Sequence, residues 1–232
     1  MTLSSKQFNL LSNDVDSDER SSTGDLSSAA SRIIHAFRSQ EFPTDRVFDR
    51  VLPRELQVVS GQHWTPIEVV VRAVEWLEQL NVQSVVDIGS GAGKFCVAAA
   101  LAGRARFIGV EQRLRLVEAA TDLAHVLGVD ARVSFVHGRL GETRIPEADA
   151  YYLYNPFGEN FFRTKQYLDE EVELSNDRYH RDVAIVEQLL RDAPFGTCLL
   201  TYNGFGGSVP SNYREIFVDR DMPNVLHMWR KT

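Results

Sequence analysis

The chain has 232 residues, 44% of them hydrophobic, which suits one domain of moderate size with a real core. Its formal net charge is −7, and that acidity argues against duplex nucleic acid as a partner, since a basic face supplies most of the affinity for phosphate. No apolar run approaches the ~20 residues that span a bilayer, and the polar, acidic start lacks the basic region and apolar centre of a signal peptide.

Residues 1–31 are rich in Ser, Asp and Asn and read as a polar, flexible tail that buries too little surface to offset its ordering entropy. Residues 32–80 read as an amphipathic helical region. Within it, Thr65 is placed to cap a helix that opens at Pro66 and continues through Ile67, Val70, Val71, Val74, Leu77 and Leu80, an apolar stripe of period 3.6. From residue 81 to 232 strands and helices alternate. Strands are expected at 84–88, 106–110, 132–137, 148–155 and 197–203, with helices at 94–102, 113–127 and 177–191. Gly128 is a suitable residue to end the second of these helices. Two closing strands, 213–219 and 225–230, follow with no room for a helix between them. The expected fold is therefore α/β: a doubly wound, mostly parallel seven-strand sheet with an antiparallel C-terminal hairpin.

The turn after the first strand reads Asp87-Ile88-Gly89-Ser90-Gly91-Ala92-Gly93-Lys94-Phe95. In open α/β sheets this end of the strands binds ligands, and glycine lets backbone approach without a Cβ in the way. A phosphate-binding loop needs Gly-x4-Gly-Lys-Ser/Thr, but Ile88 stands at its first glycine and Phe95 at its hydroxyl. A dinucleotide turn needs G-x-G-x-x-G, but Lys94 holds the third position. An acid followed by G-x-G-x-G instead resembles the motif of the seven-strand, Rossmann-like (class I) S-adenosylmethionine (SAM)-dependent methyltransferases.

The resemblance implies SAM as cofactor and S-adenosylhomocysteine (SAH) as product. It implies that Asp87 faces the methionine amino group and that Gly89 and Gly91 let the cofactor lie against the backbone. Ser90 and Gly93 shape the turn. Glu111, at the end of the second strand and about 20 residues beyond the turn, is placed to accept hydrogen bonds from the ribose hydroxyls. Gln112 would flank the adenine. Relatives carry an acid after the third strand that contacts the adenine amine; this chain has Arg139, or slightly later Glu142, and leaves that contact open.

The fourth strand ends Tyr154-Asn155-Pro156-Phe157-Gly158. It resembles the Asn/Asp-Pro-Pro-aromatic motif of enzymes that methylate exocyclic amino groups of bases, or glutamine amides. The shorter form here is closer to a small group of seven-strand enzymes that includes protein lysine methyltransferases. A helix like the one at Thr65-Pro66 closes over the cofactor in that group, which puts Thr65 among the expected cofactor contacts. The implied roles are Asn155 and Pro156 as acceptors that aim the attacking nitrogen, and Phe157 as a stacking partner; Asn155 also neighbours the cofactor. The expected substrate bears an amine and is a protein lysine or similar. Two other readings stay open: methylation of an exocyclic base amine on nucleic acid, and a SAM-binding module without turnover.

Phe161, Phe162 and Tyr167 lie in a polar loop able to cover substrate. The acidic run Asp169-Glu170-Glu171-Val172-Glu173 would draw a basic one. The six histidines lack metal-ligand spacing, so no metal is expected. Cys96 and Cys198 sit in apolar contexts and read as buried thiols of a cytoplasmic protein.

Overall fold

The computed structural model describes residues 12–161, 168–169 and 171–232. Four helices come first: α1 (Ser12–Arg38), α2 (Asp45–Phe48), α3 (Arg54–His63) and α4 (Ile67–Gln79). Then follow β1 (Ser84–Ile88), α5 (Lys94–Ala102), β2 (Arg106–Glu111), α6 (Leu114–Val126), β3 (Val133–His137) and β4 (Ala150–Tyr154). Helix α7 (Asn176–Asp192), β5 (Cys198–Tyr202), β6 (Tyr213–Asp219) and β7 (Leu226–Lys231) complete the chain. Among the described residues, no helix is long and apolar enough to cross a membrane.

The strands form one seven-stranded sheet in the order β3-β2-β1-β4-β5-β7-β6. The first five are parallel, and β7 runs antiparallel to both β5 and β6. This is the expected Rossmann-like architecture. Its central strands are buried on both faces, which is why they appear as apolar runs rather than alternating ones. On one face Val85, Phe107, Tyr152 and Leu200 pack under α1, α4, α5 and α6. On the other, Val86, Tyr151 and Leu199 pack under α7. Gly128, with φ +67°, ends α6 as expected.

Two expectations are corrected in the N-terminal region. The boundary near residue 31 falls inside α1, because Ala29, Ala30, Ile33 and Phe37 recur at helical spacing and are buried in the main core. Small alanines contribute little to composition yet seal a helix against a core. Thr65 does not cap α4. That helix starts at Ile67 with Pro66 in the cap position. The Thr65 hydroxyl lies 3.0 Å from the Tyr152 hydroxyl, and the first free amide, Ile67 N–H, donates to Asp45 Oδ1 at 2.9 Å. The cap comes from 22 residues upstream, so no local pattern reveals it.

Lys94 binds this region to the sheet. It opens α5 directly after the glycine turn, and its side chain is only 2% exposed. Its ammonium lies 2.7 Å from Asp45 Oδ1 and 2.7 Å from Asp49 Oδ1, donates to Ser60 Oγ at 3.2 Å, and sits over the Phe48 ring. All four partners lie between residues 45 and 60, in and between α2 and α3. Removing one member of a buried ion pair leaves the other charge uncompensated, at about 3–5 kcal/mol. Lys94→Met is therefore expected to lower the unfolding free energy by about 3 kcal/mol or more, read by urea denaturation. A change below about 1 kcal/mol would mean that the N-terminal helices are held by apolar contact alone.

Candidate functional site

Gly89, Gly91 and Gly93 all have positive φ, +79°, +54° and +75°. The amides of Gly89 and Ser90 both donate to the Val110 carbonyl, at 2.9 and 3.1 Å, which clips the turn to the end of β2. The space left by the missing side chains is taken by protein. A Cβ on Gly89 would stand 2.9 Å from Pro156 Cβ, and one on Gly91 would stand 2.2 Å from the Trp64 ring. One on Gly93 would meet Phe135 at 2.5 Å. The glycines thus let the Asn-Pro-Phe turn, the N-terminal segment and β3 close on this loop.

Asp87 is buried on the α5 side of the sheet, where Cys96 Sγ donates toward its Oδ2 at 3.6 Å. Burial pushes its carboxyl up to about 7, against the pull of the Cys96 hydrogen bond; the nearby Glu111 adds to the rise. Glu111, at the tip of β2, accepts from the amides of Gly91 at 3.1 Å and Arg113 at 2.9 Å. Burial raises its pKa too, opposed by those hydrogen bonds.

The chain leaves β4 in a tight turn. Asn155 has φ +38°, its amide donates to the Gly204 carbonyl at 2.9 Å, and its carbonyl accepts from Gly158 N–H at 3.0 Å. A Cβ at Gly158 would lie 2.3 Å from Asn155 Nδ2, so Gly158 makes room for the amide. Among the described residues no hydrogen bond engages the Asn155 side chain. Asn160 Nδ2 closes the turn by donating to the Phe157 carbonyl at 2.9 Å.

These pieces surround a cavity of about 310 Å³. Of the residues singled out from sequence, Gly89, Gly91, Glu111, Gln112, Asn155, Pro156 and Phe157 line it. Thr65, Asp87, Ser90, Gly93 and Arg139 do not. Thr65, Asp87 and Ser90 are buried, and Arg139 turns to Glu142 at 3.7 Å. The cavity also recruits residues that carried no sequence signal: His63 and Trp64 from the end of α3, Arg113, and the pair Arg178 and Asp182 on α7. Burial holds His63 below its usual value, with Glu159 raising and Arg113 lowering it, so the ring is neutral at pH 7. Tyr154 also lines the cavity; burial raises its phenol, which stays protonated.

The acidic run behind the Asn-Pro-Phe turn is tied to arginines. Arg113, 5% exposed, donates to Asp169 at 2.9 Å and Glu159 at 3.1 Å. Arg115 also holds Asp169 and lies 3.8 Å from Glu171, while Glu173 faces Arg181 at 3.2 Å. Burial pushes the Asp169 carboxyl up, but the Arg113 and Arg115 hydrogen bonds outweigh it and hold the pKa below the usual range. The run is therefore compensated rather than an open attractor. Of the expected covering aromatics, Phe161 is 60% exposed and packs edge-on against Tyr179. Phe162, Tyr167 and Glu170 lie outside the described residues.

Among known proteins, the family model of protein-L-isoaspartate(D-aspartate) O-methyltransferase (PCMT) matches residues 32–151. No curated protein matches the chain. Among solved structures, an RNA methyltransferase from Salinibacter ruber in complex with SAH is 25% identical; the match covers 72% of this chain and 92% of that one, with a TM-score of 0.50. An O-methyltransferase from Bacillus cereus in complex with SAH is 10% identical over 88% of this chain and 91% of that one, with a TM-score of 0.52; this likeness is one of fold.

Two outcomes follow from the packing. Gly89→Ala puts a methyl against Pro156 in a left-handed backbone, and is expected to destabilise by about 1–3 kcal/mol in thermal or urea unfolding; a neutral effect would mean the two turns are not in contact. For Asp87, the folded pKa of about 7 lies above the unfolded value of about 4. Its contribution to stability is then fully present below about pH 4 and is lost as pH rises through about 7. The stability advantage of wild type over Asp87→Asn should shrink across that window, by up to about 4 kcal/mol at about 1.4 per unit. A pH-independent difference in parallel denaturation series would refute the burial of this carboxyl.

Proposed function

The chain belongs to the protein-L-isoaspartate(D-aspartate) O-methyltransferase (PCMT) family and is a SAM-dependent methyltransferase; from that premise we propose that it methylates the nitrogen of an amine-bearing substrate, a protein lysine or similar, at the turn Asn155-Pro156-Phe157. One observation carries this reading: among the described residues, the cavity wall beside that turn offers acceptors, and its two arginines are both paired. Asn155 keeps an uncommitted amide oxygen. Both arginines that line the cavity are already bonded to carboxylates of the protein, Arg113 to Glu159 and Asp169, and Arg178 to Asp182. An amine needs acceptors that aim its lone pair and stabilise its developing charge. A carboxylate or phosphate needs a free guanidinium.

When bound, SAM supplies a sulfonium methyl for in-line displacement and leaves as SAH. The residues proposed to hold it are Gly89, Gly91, Glu111 and Gln112 in the lining, with Asp87 buried behind the turn. Ser90 and Gly93 keep the turn in shape, and Thr65 holds Trp64 in place through Tyr152. Arg139 lies outside the lining and is paired with Glu142. The substrate nitrogen must be neutral to attack. His63, uncharged at pH 7, is the lining group suited to take its proton. Phe157, 6% exposed, shapes the wall on the substrate side.

The family's own name supports a second reading, transfer to an isoaspartyl carboxylate, and the Salinibacter ruber structure a third, transfer to RNA. Radiolabelled methyl from SAM, offered to lysine-rich protein, isoaspartyl peptide and RNA, separates the three. The expected product is a protein label that survives mild alkali, since methyl esters hydrolyse there and N-methyl groups do not. Label released as methanol, or carried by RNA, overturns the amine reading. In the same assay Glu111→Ala should weaken SAH binding at least ~10-fold, as loss of hydrogen bonds to a charged acceptor implies. Asn155→Ala should leave binding within ~3-fold and cut turnover ~100-fold, in line with removal of one such donor or acceptor. Equal loss of cofactor binding in both variants would show that Asn155 is misassigned.

A further inference from the structure

A second depression, of about 370 Å³, opens beside the closing hairpin. His227 and Trp229 line it from alternate positions of β7, so both side chains stand on one face of the sheet. Trp229 pairs with Leu199, which packs under α7, and this identifies the face. The two rings stack at 4.8 Å with an angle of 18° between their planes. Glu215, on β6, holds His227 Nδ1 and so fixes the stack. Both rings are only partly buried.

A second wall is the loop after β5, where Phe205 and Val209 add apolar surface. That loop is fastened to α7. The Tyr179 hydroxyl donates to the Gly206 carbonyl at 3.2 Å, and the Ser208 amide donates to Glu187 Oε1 at 2.8 Å. A Cβ on Gly206 would stand 2.1 Å from the Tyr179 hydroxyl, and one on Gly207 would stand 2.8 Å from Val183. The wall is therefore set before any ligand arrives, which lowers the cost of ordering it on binding. The same loop borders the reacting turn. Asn203 lines both the main cavity and this depression. The carbonyl of Gly204, another lining residue, accepts from the Asn155 amide at 2.9 Å. An acceptor chain whose reacting group lies at Asn155 thus passes beside the depression with its neighbouring residues.

Among the described residues the lining carries no Lys, Arg, Asp or Glu. A polynucleotide crossing it would find no cation for its phosphates, the main source of its affinity. A peptide backbone needs none. We propose that this depression is a specificity subsite for a polypeptide acceptor, and that it takes an aromatic side chain near the methylated residue, packed on Trp229. Such pairs gain from their ring geometry as well as from buried area. This inference rests on the reading that a protein amine is methylated at Asn155-Pro156-Phe157.

The test uses synthetic peptides with a single acceptor lysine in a serine-glycine background, and Phe or Ser scanned through the neighbouring positions. Transfer of radiolabelled methyl from SAM is the readout. At a defined spacing from the lysine, wild type should prefer Phe over Ser by ~10-fold in kcat/KM, the worth of burying much of one aromatic side chain. The difference should lie in KM and not in kcat. That comparison needs no variant. Trp229→Ala should reduce the preference below ~3-fold by raising KM for the Phe peptide, and Trp229→Phe, which keeps a flat ring, should recover most of it. Lysine labelling by wild type with no preference for Phe at any position overturns the proposal while the amine reading stands. So does a preference that Trp229→Ala leaves intact. Inhibition of labelling by single-stranded RNA, relieved in Trp229→Ala, would overturn it in favour of a base-stacking site. Absence of label on every lysine peptide overturns the amine reading and this inference with it.

Discussion

A lysine ammonium buried to 2% exposure has to be answered by charge and hydrogen bonds from whatever packs against it. Lys94 opens the helix behind the glycine turn, and every group that answers it comes from residues 45–60. The N-terminal helices are therefore part of the domain's core rather than an appendage. Asp45 does double duty, holding Lys94 and capping Ile67. The segment between α3 and α4 is thereby fixed over the glycine turn. Trp64 rests on Gly91, and Thr65 meets Tyr152, whose ring stacks on Phe95 at 3.7 Å. Loss of the Lys94 contacts would free the wall of the cavity as well as the helices.

The same economy of space governs the other side of the turn. Gly89 lets Pro156 approach, so the proposed cofactor-binding turn and the proposed reacting turn are in van der Waals contact. Methyl transfer depends on holding donor and acceptor in line within a few tenths of an ångström. Two loops at the ends of adjacent strands β1 and β4, packed directly on each other, meet that demand without an intervening flexible element. Arg113 extends the arrangement: its amide holds Glu111 while its guanidinium holds Glu159 and Asp169.

Charge around the cavity is largely spent internally. The formal charge of −7 suggests an attractive surface for basic partners, but several acids nearest the cavity are paired with arginines. On the cavity wall, among the described residues, no hydrogen bond engages the Asn155 side chain. An acceptor of this kind beside the glycine turn suits a substrate that donates hydrogen bonds, and this is the physical basis for the amine-directed reaction proposed.

Local patterns determined the order of elements, the parallel sheet with its closing hairpin, and the cluster of residues at the tips of β1, β2 and β4. Those features follow from hydrophobic periodicity and from glycine or proline at strand ends, which act over a few residues. The helix through residue 31, the cap on α4, and the place of His63, Trp64, Arg178 and Asp182 were decided by the tertiary structure alone. Each depends on a partner distant in the chain: Ile33 on the sheet face, Asp45 on Ile67, Trp64 on Gly91, Arg178 on Leu140. The glycine turn shows both sides of this division. Its sequence determined that backbone would come close to something there. Only the fold decided that the missing side chains make room for Pro156, Trp64 and Phe135, because close approach is set by what packs opposite and not by the glycines themselves.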